Sequence, residues 1–124
     1  MPAASKLRFL VKPRNVDHVK GVMNRTEAAY SRHLELLVAA GEIVAFKFEA
    51  VRFTLAHNVA GARNAMTYTP DFMVITGDDV RFHETKGFMR EDALLKVKMA
   101  AELYPWFRWF VIRKTKSGWD SEEF

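Results

Sequence analysis

Asp71, Glu84 and Lys86 have the types and spacing for chemistry within one short stretch. From Tyr68 to Lys86 the chain reads YTPDFMVITGDDVRFHETK. Two runs of β-branched and aromatic residues flank Thr76-Gly77-Asp78-Asp79, which is a hairpin signal. A two-residue turn at Gly77-Asp78 and a four-residue turn from Thr76 to Asp79 both place Asp71 directly opposite Glu84. Such cross-strand partners have Cβ atoms about 4.5–5.5 Å apart, and two like charges there repel. A cation between them reverses the sign. Paired carboxylates suit a hard divalent ion with oxygen ligands, Mg²⁺ first. Lys86 follows Glu84 by two residues and so shares its strand face. The expected constellation is two metal ligands beside a fixed ammonium group.

Pro70-Asp71 followed by Glu84-Thr85-Lys86 resembles the signature of the PD-(D/E)XK, or restriction-endonuclease-like, nucleases. The resemblance runs from about Asn24 to Lys114. It includes the flanking stretches MNRTEAAY and KGFMREDALLKVK, which are similar to those of small nucleases often found in phages. It implies an α/β core of order αβββαβ, with a mixed sheet flanked by helices. It also implies Mg²⁺-dependent hydrolysis of DNA phosphodiester bonds, with Mn²⁺ as a substitute ion. Asp71, Glu84 and the carbonyl of Thr85 are the implied ligands, and Lys86 orients the nucleophile or neutralises developing charge. Glu27 matches a helix-borne Glu that reaches the metal in many of these enzymes. Lys96 falls where they carry a helix lysine near the site.

The elements that must position these groups follow from periodicity. A helix is expected from about Arg25 to Ala40, with Tyr30, Leu34 and Leu37 as its buried stripe and Gly41 as its stop. Glu27 lies on that stripe. Asn24 followed three residues later by Glu27 also makes a capping box, so a capping role and a site role are both open. Ile43 to Ala56 reads as two strands or one bulged strand, since the alternation shifts phase at Ala50-Val51. Residues 57–67 read as a loop. A second helix is expected from about Arg90 to Tyr104, ended by Pro105, with Leu94, Val97, Ala101 and Tyr104 buried. Lys96 and Lys98 flank that stripe. Trp106 to Lys114 reads as a strand buried on both faces, its aromatics packing the core. His83 alternates away from Glu84 and reads as structural or solvent-facing.

Composition sets wider bounds. At 124 residues the chain has room for one domain. Residues 1–23 are expected to form a basic arm, 24–114 the nuclease-like domain and 115–124 a polar tail. Cysteine is absent, which excludes disulfides and Cys-based zinc sites. The N-terminus has no long apolar run or cleavage site, and no stretch has membrane-spanning length, so a cytoplasmic protein of a bacterium or phage-infected cell is expected. The formal net charge of +4 favours polyanionic partners. Lys6, Arg8, Lys12, Arg14, Lys20 and Arg25 oppose only Asp17 near the N-terminus. Arg25, Arg63, Lys96 and Lys98 are the candidate contacts to DNA phosphate, against a plain reading of each as a solvated cation.

The leading expectation is therefore a Mg²⁺-dependent DNA endonuclease, suited to branched DNA such as Holliday junctions and working as a homodimer. One alternative is a non-cleaving nucleic-acid-binding module with the same fold. A second is an interaction protein whose hairpin carboxylates are simply solvated.

Overall fold

A computed structural model describes residues 21–57, 65–85 and 91–124. Residues 1–20 of the basic arm, Arg63 and Lys86 lie outside the described residues. The first element is α1 (Arg25–Ala39). Asn24 caps it: the Asn24 side chain accepts the Glu27 N–H at 2.8 Å, and Glu27 Oε1 accepts the Asn24 N–H at 2.9 Å. This reciprocal pair satisfies two N–H groups that the first turn would otherwise leave orphaned. At the other end the Gly41 N–H donates to Val38 O and the Glu42 N–H to Leu37 O. Gly41 takes the left-handed conformation that this ending requires, at φ +78°.

The strands are β1 (Ala45–Phe48), β2 (Phe53–Ala56), β3 (Met66–Tyr68), β4 (Phe72–Ile75) and β5 (Val80–Thr85). Then come α2 (Glu91–Leu103), β6 (Arg108–Lys114) and β7 (Trp119–Glu123). Five strands form one mixed sheet in the order β1-β4-β5-β6-β7. Only β5 and β6 run parallel within it, and the long connection that parallel neighbours need contains α2. β2 and β3 pair antiparallel as a separate two-stranded ribbon. The protein is thus mixed α/β, with a five-stranded mixed sheet and two helices among the described residues.

Each face of the large sheet buries its own apolar cluster. On one face Tyr30 and Leu34 of α1 pack with Phe48, Phe72, Val74, Phe110 and Ile112. On the other, Val97 and Ala100 of α2 and the β2–β3 ribbon enclose Phe82, Trp109 and Val111. Trp109, Phe110, Val111 and Ile112 are all buried, as expected for a strand covered on both sides. Trp109 Nε1 donates to Tyr104 O and Tyr104 Oη to Thr54 O, tying the end of α2 to β6 and β2.

Ile43–Ala56 divides into two strands, one of the two arrangements expected, and these join different sheets. Three expectations need correction. Met66 and Thr67 belong to β3 rather than to a loop. Trp106 precedes β6 and is 77% exposed, so it does not pack the core. Within the supposed polar tail, residues 119–123 form β7, which pairs along β6. Ion pairs from Arg108 to Glu123 and from Arg113 to Glu122 accompany that pairing, and Trp119 packs edge-on against Tyr30 with ring centroids 4.9 Å apart. The polar sequence of β7 is therefore the exposed side of an edge strand.

Candidate active site

The turn sets the geometry. The Thr76 N–H donates to Asp79 O, and Thr76 Oγ1 accepts the N–H groups of Asp78 and Asp79. Ile75 pairs with Val80, and the ladder continues without a shift to Phe72 and His83. One further step brings Asp71, just outside β4, level with Glu84 on β5. This is the register expected from the sequence. Both carboxylates are buried, at 7% and 5% exposure, where an ionised group needs charge-assisted partners.

Those partners are specific. Asp71 Oδ2 accepts the Thr85 N–H at 2.9 Å and the Thr85 hydroxyl at 2.8 Å. Glu84 Oε1 accepts the Tyr68 hydroxyl at 2.7 Å. Burial, with the Glu84 and Asp71 carboxylates adding to it, pushes the Tyr68 hydroxyl far above the ordinary tyrosine range. Tyr68 therefore stays protonated and remains a donor. Donors of this kind favour the charged form of the carboxylate they contact and fix its orientation. No such role for Tyr68 was expected. Its only signal was a polar-tipped aromatic three residues before Asp71, and the ribbon that carries it was not foreseen.

The remaining expected residues separate by element. Thr85 is buried and meets Asp71 through its N–H and hydroxyl. Glu27 is 4% exposed, and its capping bond to Asn24 is present. Lys96 is half-buried on α2, whereas Lys98 and Arg25 are exposed. Lys86 and Arg63 fall outside the described residues. His83 is buried on the α1 face, with Nδ1 2.7 Å from Tyr30 Oη.

Among the described residues no group of three or more His, Asp or Glu side chains forms a metal cluster. Mg²⁺ keeps several waters and binds through one or two carboxylates, so a pair of carboxylates is compatible with it. Asp71 and Glu84 could offer two hard oxygen atoms to such an ion, and Thr85 and Tyr68 hold them by hydrogen bonds. No helix among the described residues is long and apolar enough to cross a membrane. Compared with family models, curated proteins and solved structures, the chain matches none.

Proposed function

We propose that this protein is a Mg²⁺-dependent endonuclease of the PD-(D/E)XK type that hydrolyses phosphodiester bonds in DNA. The observation that carries the reading is the burial of Asp71 beside Glu84 at the open end of the β4–β5 hairpin, each held by its own hydroxyl donor. Element order lends support. With the β2–β3 ribbon and β7 set aside, the chain runs helix, three strands, helix, strand. The strands lie in the order β1-β4-β5-β6 with the last pair parallel. The element order and the mixed sheet agree with the αβββαβ expectation.

Asp71 and Glu84 would hold the ion, with the Thr85 carbonyl as a third ligand and Glu27 as a contributor to a second ion. Bound Mg²⁺ lowers the pKa of its water and offsets charge on a phosphoryl oxygen. Thr85 and Tyr68 hold the two carboxylates in place through their hydrogen bonds. Lys86 would orient the attacking water or stabilise charge developing in the transition state. Lys96, Lys98, Arg25 and Arg63 are the proposed phosphate contacts, and the basic arm would add salt-sensitive affinity. Branched DNA is the proposed substrate, with a homodimer as the working form.

The test uses supercoiled plasmid and a four-way junction, each with and without Mg²⁺. Cleavage is expected only with the metal and is lost in Asp71→Ala and Lys86→Ala. Circular dichroism and thermal melts check that both variants remain folded. Wild-type activity in both would remove the site assignment. Junction binding without turnover would favour the non-cleaving module instead.

A further inference from the structure

The opposite face of β5 carries a second polar arrangement that the proposed nuclease chemistry does not use. A pocket of about 140 Å³ opens between α1, β5 and β7, lined by Tyr30, His33, Arg81, His83, Trp119 and Ser121 among others. His83 is 91% buried, and among the described residues its Nε2 is a buried side-chain atom with no hydrogen-bond partner. Burial, with Arg81 and His33 adding to it, holds the His83 ring neutral down to about pH 3.

The tautomer follows from counting protons. Tyr30 Oη and His83 Nδ1 are 2.7 Å apart, and burial pushes the Tyr30 hydroxyl above its ordinary range. If the Tyr30 hydroxyl donates to Nδ1, one bond satisfies both groups and leaves a single unmatched donor, Nε2–H. The other tautomer leaves both the phenolic proton and Nε2 unmatched. A buried donor without an acceptor is costly and is seldom retained without a reason.

Other donors border the same pocket. Arg81 commits Nε to Asp79 Oδ1 at 2.8 Å, leaving its terminal nitrogens for another acceptor. The guanidinium lies 5.5 Å from the Phe110 ring centroid, which limits its freedom. The His33 ring and the Ser121 hydroxyl complete the set. Asp120 also borders the pocket but is exposed.

We propose that this pocket binds a phosphate-type oxyanion, with Arg81 as its principal charged contact and His83 and Ser121 as neutral donors. The aromatic rings of Trp119 and Tyr30 could flank a group attached to the anion. The inference does not depend on the nuclease reading, since the pocket and the Asp71–Glu84 pair lie on opposite faces of the sheet.

The experiment titrates the full chain with inorganic phosphate, a nucleoside 5′-monophosphate and a 5′-phosphorylated oligonucleotide. Calorimetry measures affinity, and ring-proton NMR of the histidines reports whether His83 is touched. Saturable binding is expected for at least one of the three, and the arm that binds most tightly identifies the source of the anion. Arg81→Gln should weaken it about tenfold or more. Ser121→Ala, an exposed and fold-neutral change, should weaken it less, and Asp71→Ala should leave it unchanged. Saturable binding with a shift of the His83 signals supports the pocket. No saturable binding by any of the three probes would overturn the proposal. So would equal affinity in wild type and Arg81→Gln, or a His83 spectrum indifferent to the anion.

Discussion

Glu84 and His83 are neighbours on β5, yet they serve opposite faces of the sheet. Each meets a tyrosine hydroxyl at 2.7 Å: Tyr68 for Glu84 and Tyr30 for His83. Each is buried. On the ribbon side the hydroxyl stabilises an acceptor, and a second carboxylate, Asp71, is brought level with it. That is the side proposed to receive a cation. On the α1 side the hydroxyl meets Nδ1 of the imidazole, and Nε2 has no partner among the described residues. That is the side proposed to receive an anion. The strand's period of two is what allows adjacent residues to build both.

Breaking the cation side should have the largest effect. Asp71→Ala removes a proposed ligand, and cleavage is expected to fall at least about 100-fold, as for other groups that stabilise transition-state charge. A plasmid-nicking time course checks this. It also leaves the Thr85 N–H and hydroxyl without their acceptor, so a stability loss of about 1–3 kcal/mol should accompany it in denaturant melts.

The anion side is better probed through acid stability. The His83 pKa is lowered from 6.5 to about 3 in the folded protein. Between those values the unfolded chain binds a proton that the native state refuses. Stability is therefore complete above pH 6.5 and declines as pH falls toward 3, by about 1.4 kcal/mol per pH unit at the steepest. His83→Gln should flatten that part of the curve. Urea melts from pH 7 to pH 4 compare the two proteins, and parallel curves would mean that His83 is protonated equally in both states.

Tyr68→Phe sharpens the comparison, because it removes only the donor to Glu84. A stability loss of about 1–2 kcal/mol is expected, with a smaller fall in cleavage than for Asp71→Ala. The smallest effect should come from the helix start. Asn24→Ala deletes one arm of the capping box and should cost about 1 kcal/mol in a thermal melt.

The hairpin was legible because one turn sequence fixes the register of every residue on both strands. The capping box and the two apolar helix stripes were legible for the same reason, since their signals are local. β3 and β7 were not. β3 has three residues and follows a segment rich in Gly and Asn, so it shows no period of its own. β7 reads WDSEE, which has no alternation. Its place depends on the unpaired edge of β6 and on arginines ten or so residues upstream. The same non-locality hid Tyr68. Its contact with Glu84 depends on a ribbon closing over the sheet, and no spacing within the chain encodes that.

The account's central claim is that Asp71 and Glu84 together receive a divalent cation. Mn²⁺ titration followed by the paramagnetic resonance of the free ion tests this without requiring turnover or DNA. Saturable uptake is predicted for the wild-type protein, strongly reduced in Glu84→Gln and in Asp71→Asn. A free-ion signal that the protein leaves unchanged, or uptake identical in all three proteins, would contradict it.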